Sequence, residues 1–235
     1  MSITVKKLSK RYLSADGKET VVFKDFSAEF QDGKVTAVLG PSGVGKSTLL
    51  NCIGRLTPFD GEIIGANEVA YVFQDDRLIP HKTVYGNIEF TLPEASKEEK
   101  AKRIRSVLET VEMTDKASAF PDELSGGQKK RVSLARAFAT KKSVILLDEP
   151  FSSLDLALKS RISADFAAML EYESKTVIFV THDVDEALTL ADEILVLNRG
   201  EISFKISVEE PRKGRDIAGK RCNEVRKKLY EAILV

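Results

Sequence analysis

The sequence predicts an α/β protein: a covered parallel sheet, an antiparallel β portion at the start of the chain and an inserted helical block. Three observations carry this class. Residues 35–39, 144–147, 176–180 and 194–197 are short apolar runs separated by stretches of helical periodicity, the alternation a parallel sheet needs. Residues 3–31 carry β-branched and aromatic residues around a turn at Ala15-Asp16-Gly17-Lys18, which reads as antiparallel strands. Residues 83–142 change to helical spacing throughout.

Taken in order, Ile3, Val5, Val21, Val22 and Phe23 mark the first strands. Residues 35–39 form a buried strand that stops at Gly40. A helix is expected from near Gly45, with Leu49, Leu50, Ile53 and Leu56 on its apolar face. A further strand is expected at 69–73. In the helical block, Ile104, Val107, Leu108 and Val111 fall at i, i+3, i+4 and i+7, one stripe. Pro121, Gly126 and Gly127 interrupt the pattern before Val132, Leu134, Ala135 and Phe138 resume it. Ile162, Phe166, Met169 and Leu170 mark a crossover helix, and residues 214–235 read as one charged helix.

Composition sets bounds. The 235 residues fit one large domain, and 43% apolar content suffices for a substantial core. Lys+Arg and Asp+Glu are both 36, so no global charge draws the chain to nucleic acid. The basic clusters at 129–131 and 212–228 read as solvated helix faces. Cys52 and Cys222 form neither a metal-ligand spacing nor a disulfide framework. No apolar run has the length of a bilayer span, and the start lacks a signal-peptide pattern. The chain is therefore expected to be cytosolic, reduced and soluble.

Three motifs carry chemistry. Gly40-Pro41-Ser42-Gly43-Val44-Gly45-Lys46-Ser47-Thr48 matches G-x-x-x-x-G-K-S/T between a strand and a helix. Its glycines let backbone N–H groups converge on phosphate, Lys46 reaches the β- and γ-phosphates and Ser47 is a ligand for Mg²⁺. Asp148 and Glu149 end an apolar strand at the edge where α/β sheets bind ligands. Asp148 suits the metal side, and Glu149 is placed to polarise a water for attack on the γ-phosphate. Leu124-Ser125-Gly126-Gly127-Gln128 opens a second helix, with Ser125 its expected N-cap, and forms a second anion site that a partner chain's γ-phosphate would occupy.

With these motifs in this order, the chain resembles the nucleotide-binding subunit of an ABC transporter over essentially its whole length. The resemblance implies a P-loop NTPase (RecA-like) core at 32–82 and 143–213, an antiparallel β subdomain at 1–31, a helical signature subdomain at 83–142 and a C-terminal helix at 214–235. It makes 40–48 and 144–149 the Walker A and B motifs and 124–128 the family signature. Gln74 takes the place of the Q-loop glutamine, a further Mg²⁺ and water sensor. Ser153-Leu154-Asp155 resembles the D-loop, His182 sits at the switch-histidine position and Tyr12 at that of the aromatic on adenine. The stretch from Gly61 to Tyr71 is shorter than the family pattern, which bears on strand pairing there.

The resemblance further implies ATP and Mg²⁺ as cofactors and closure of two copies, or of two like subunits, over ATP. It implies a separate integral membrane permease and, indirectly, an extracytoplasmic solute-binding protein, placing the chain at the cytoplasmic face of the cell membrane. Leu78, Ile79 and Val84, rimmed by Arg77 and Lys82, are expected to meet the permease. Pro150-Phe151 after Glu149 is similar to bacterial importers, and residues 74–87 to the nitrate/sulfonate/taurine uptake group. Arg131 and Arg136 are expected to be structural and to carry no chemistry, and His81 to face solvent or a partner rather than the nucleotide. A non-transport ABC ATPase acting on DNA or ribosomes is the main alternative, but no coiled-coil insertion or second cassette accompanies the motifs. A P-loop kinase or a switch without turnover is disfavoured by Glu149.

Overall fold

The computed structural model describes residues 2–13, 17–152, 154–172, 174–212 and 214–234. Ala15 and Asp16 of the expected first turn lie outside the described residues.

Six strands form the main sheet: β3 (Val35–Leu39), β5 (Val69–Val72), β6 (Val144–Asp148), β7 (Thr176–Val180), β8 (Glu193–Asn198) and β9 (Glu201–Ser207), in the order β5-β6-β7-β3-β8-β9. The first five run parallel and β9 closes the edge antiparallel. Every residue of β3, β6 and β7 is buried. The period of two explains why: Ala37, Leu39, Ile145 and Leu147 feed one core, while Val38, Val144 and Leu146 feed another on the opposite face.

The second core is roofed by β1 (Ile3–Leu13), β2 (Glu19–Phe30) and β4 (Asp60–Ile64), an antiparallel sheet ordered β2-β1-β4. Ile3, Leu8, Phe23 and Phe30 from this sheet pack over Leu49, Leu50, Cys52 and Ile53 of α1 (Lys46–Ile53). The third strand comes from residues 60–64, which the sequence places in the core segment. The short 61–71 stretch still pairs on both sides, Ile63 opposite Val5 and Tyr71 opposite Leu146. Arg55 turns left-handed at φ 55°, so Leu56 leaves the helix and is 53% exposed rather than part of its apolar face.

Helices α2 (Val84–Glu89), α3 (Lys97–Thr110) and α4 (Gly126–Ala139) form the block between β5 and β6. The predicted stripe Ile104, Val107, Leu108 and Val111 is buried. Phe138 of α4 stacks on Phe166 of α5 (Leu156–Tyr172) at 3.9 Å between ring centroids, tying the block to the core. α6 (Val184–Leu190) follows β7, capped by Asp183. The terminal helix α7 (Lys220–Leu234) is shorter than the expected 214–235, because a turn at Asp216 occupies the residues before it. Among the described residues no helix is long and apolar enough to cross a membrane.

Candidate nucleotide site

The strand order decides what can meet. β5, β6, β7 and β3 are consecutive and parallel, so the segments leaving their carboxyl ends share one edge. Those segments carry Gln74, Asp148 with Glu149, His182 and the 40–48 loop, in that order along the edge.

Between β3 and α1 the loop depends on two glycines. A Cβ on Gly40 would lie 2.3 Å from the Leu197 carbonyl oxygen. Gly45, at φ 110°, is the N-cap of α1 and gives no side-chain cap. The first N–H groups of α1 thus have no partner in their own helix and are offered outward. Pro41, Ser42 and Gly43 are exposed, while Val44, Ser47 and Thr48 are half-buried. Lys46 is buried, with Nζ donating to the carbonyls of Gly40 at 2.8 Å and Pro41 at 2.9 Å. Burial lowers its pKa, against the pull of Glu149 and Asp148.

Ser47 Oγ donates to Asp148 Oδ1 at 2.9 Å, joining the first and second motifs. Burial raises the Asp148 pKa and the Ser47 bond opposes it. Glu149 is held at φ 44°, a conformation costly for a residue with a side chain, and its N–H donates to Val180 O at 3.1 Å. Its Oε1 lies 3.4 Å from Nδ1 of the largely exposed His182. Two carboxylates, a hydroxyl, an ammonium and an imidazole therefore stand at one sheet edge.

The second glycine-bearing helix start is separate from this cluster. Ser125 is the N-cap of α4: its Oγ accepts from Gln128 N–H and its own N–H donates to Gln128 Oε1 at 2.9 Å. Nothing lies within 4 Å of a Cβ built on Gly126. None of Ser125, Gly126, Gly127 and Gln128 makes a hydrogen bond to the 40–48 loop of its own chain among the described residues. Asp155 Oδ1 caps α5 by accepting from Leu158 N–H at 3.1 Å, and Ser153 lies outside the described residues. Tyr12 is 43% exposed on β1, with Lys10 Nζ 4.6 Å from its ring centroid. Gln74 is exposed, and its side chain has no hydrogen bond among the described residues.

Two expectations need correction. Val84 is 1% exposed and belongs to the core, so it offers no surface to a permease, although Leu78 and Ile79 remain half-buried. The 129–131 cluster is not a solvated face. Lys130 is 1% exposed and its Nζ donates to the carbonyls of Phe73 and Gln74, while Arg131 holds the carbonyls of Val111 and Glu112. Arg136 donates to Arg77 O, the structural use expected of it, and His81 is exposed. The sequence reading also missed Lys159, which bridges Asp183 at 2.5 Å and Glu186 at 2.6 Å beside His182. The Asp183 cap three residues before Glu186 was a readable signal for α6.

Fold and site together define a P-loop nucleotide-binding α/β protein. The family model described as ABC transporter matches residues 23–152, and the chain belongs to that family as one of its ATP-binding cassettes. It is 38% identical over 220 residues to the sulfate/thiosulfate import ATP-binding protein CysA of Pseudomonas syringae, covering 86% of this chain and 66% of that protein. It is also 38% identical over 216 residues to the aliphatic sulfonates import ATP-binding protein SsuB 2 of Mesorhizobium japonicum, covering 88% of this chain and 84% of that one. The chain spans less than two thirds of the CysA proteins it matches, 62% for that of Synechocystis. Among solved structures, the dimeric ABC transporter cassette MJ0796 superposes with a TM-score of 0.80 at 31% identity, covering 88% of this chain and 99% of that one. A post-hydrolysis state of the same cassette bound to ADP and Pi gives 0.79.

Proposed function

We propose that the chain binds and hydrolyses ATP to power solute import through a separate permease, with two copies closing over the nucleotide. One observation carries this reading: Lys46, the Ser47–Asp148 pair and the Glu149–His182 pair share the carboxyl edge of one parallel sheet.

The triphosphate lies along the first N–H groups of α1, and Lys46 exchanges the carbonyls of Gly40 and Pro41 for phosphate oxygens. Glu149 accepts a proton as the water oxygen bonds to the γ-phosphorus. The bond to the bridging oxygen breaks, giving ADP and phosphate. His182, beside Glu149, contacts the γ-phosphate, and Gln74 approaches the attacking water. Tyr12 stacks on adenine. The hydroxyl and carboxylate of Ser47 and Asp148 are a hard-oxygen pair suited to Mg²⁺, with Gln74 a further ligand. Among the described residues no cluster of three or more acidic, His or Cys side chains could hold a metal alone, so the nucleotide's oxygens would complete that set. Mg²⁺ would offset the charge of the phosphates.

Ser125, Gly126, Gly127 and Gln128 of one copy face the γ-phosphate held by the other, with Asp155 at the same interface. The dimeric state of MJ0796 supports this arrangement. The permease supplies the membrane span, docks beside Leu78 and Ile79 and holds the chain at the cytoplasmic face. A binding protein outside the cell delivers solute. The names of the CysA and SsuB relatives support a sulfur oxyanion, sulfate or a sulfonate, as that solute. The test is phosphate release from ATP by the chain with its co-purified permease in vesicles. Release stimulated by a sulfonate- or sulfate-loaded binding protein is the expected result, and a solute-blind rate removes the import reading.

A further inference from the structure

Lys130 lies five residues beyond Ser125 on α4 and is 1% exposed. Lysine is rarely buried so fully, because stripping water from an ammonium is costly unless hydrogen bonds replace it. Here they do: Nζ donates to Phe73 O at 2.9 Å and to Gln74 O at 3.0 Å. Burial lowers its pKa, while Asp76, Asp148, Asp75 and Glu149 support the charge.

Those two carbonyls belong to the peptide planes on either side of the Gln74 Cα. Each plane is rigid, so only φ and ψ of Gln74 are soft between them. Holding both carbonyls on one ammonium restrains those dihedrals, and with them the direction in which the Gln74 Cα–Cβ bond leaves the loop. The loop is held from α4 at a second point as well, where Arg136 Nη1 donates to Arg77 O at 2.9 Å. The Arg77 guanidinium in turn lies over the Phe73 ring at 3.7 Å.

We propose that Lys130 is a positioning residue for ATP hydrolysis: by holding both peptide carbonyls around Gln74, it makes the loop carrying Gln74 move as one body with the helix that begins at Ser125. Contact of Ser125 with a nucleotide on the opposite copy is thereby transmitted to Gln74 over the chain's own nucleotide. This deepens the proposed function and rests on its reading of Gln74.

The experiment compares the parent chain with Lys130→Met, Lys130→Arg, Gln74→Ala and the double variant. Lys130→Gln, which keeps an amide nitrogen but loses the charge and one atom of reach, substitutes if Lys130→Met fails to bind ATP. Amide hydrogen exchange across 73–77 should rise about tenfold in Lys130→Met and return toward the parent in Lys130→Arg. Turnover should fall about tenfold in Lys130→Met with KM for ATP within about twofold. In the Gln74→Ala background the same change should add less than about twofold, since the tether then has nothing to position. Unchanged exchange across 73–77 overturns the proposal, as does an undiminished loss in the Gln74→Ala background. Gln74→Ala turning over at the parent rate would instead remove the role given to Gln74, while a loosened loop in Lys130→Met would still establish the tether.

Discussion

The two glycine-bearing helix starts look alike in sequence and are built in opposite ways. α1 begins at Gly45, in the left-handed region and without a side-chain cap, so its first donors are open. α4 begins at Ser125, whose hydroxyl and N–H are closed into a capping box with Gln128. The first is crowded: a Cβ on Gly45 would meet Val22 Cγ1 at 2.5 Å, whereas nothing lies within 4 Å at Gly126. The start at Gly45 is packed to tolerance against its own chain. The start at Ser125 satisfies its own cap and keeps the space at Gly126 free.

The largest test removes the chemistry and leaves both helix starts intact. Glu149→Gln should lower phosphate release by about 10²–10⁴-fold, the usual worth of a general base. ATP should stay bound between two copies, and a doubled mass on gel filtration with MgATP is the readout. A variant that stays monomeric under saturating MgATP breaks the pairing of the two starts.

The two helix starts were legible because each element has a local sequence rule. Residues 40–48 and Asp148-Glu149 announce themselves by spacing, and Ser125 with Gln128 reads as a cap. Other elements have no such rule. β4 turns a single residue, Ile63, into the core, so nothing alternates for a reader to see. β9 does alternate, with Ile202, Phe204 and Ile206 inward after the turn at Gly200, and was readable by that period. Lys130 was invisible, since a lysine on a basic helix turn reads as solvated until the opposite loop supplies two carbonyls.

Next in size is the contrast between Lys46→Ala and Ser125→Ala. Lys46→Ala should weaken ATP binding by the single chain about 10–100-fold, losing a charge-assisted partner for phosphate. Ser125→Ala should leave single-chain ATP binding at the parent value and cost about 1 kcal/mol of stability through the lost cap. Its dimer should fail to form in the Glu149→Gln background. Calorimetric titration of nucleotide on each variant checks the first pair, and equal losses from both substitutions would erase the distinction between the two starts.

Smaller still is the effect of adding one methyl to each start. Gly45→Ala forces a left-handed alanine against Val22 and should cost more than about 1 kcal/mol in urea unfolding. Gly126→Ala meets open space at the first turn of α4 and should change stability by less than about 0.5 kcal/mol. If Gly126 reserves room for a partner's phosphate, the same alanine should still prevent closure over ATP. A Gly126→Ala chain that both folds and closes normally would show the space to be incidental.

The smallest effect lies on the buried sides of the two helices. α4 turns a lysine inward, while α1 turns in Leu49, Leu50, Ile53 and the Cys52 thiol, which is 0% exposed. Burial pushes that thiol up from 9.0 to about 11, with nearby Lys10 opposing. The folded chain then holds the Cys52 proton through a pH range where the unfolded chain has released it. Linkage makes stability fall as pH rises through that window, and the Cys52 contribution should be a loss on the order of 1 kcal/mol by pH 9.5 relative to pH 7. Lysines and tyrosines titrate in the same range, so the readout is the difference between the parent and Cys52→Ala in urea midpoints at pH 7, 8.5 and 9.5. The parent should decline more steeply by that amount. Parallel curves would mean that water reaches the thiol, and that the apolar seat beneath the first helix start is less sealed than its packing indicates.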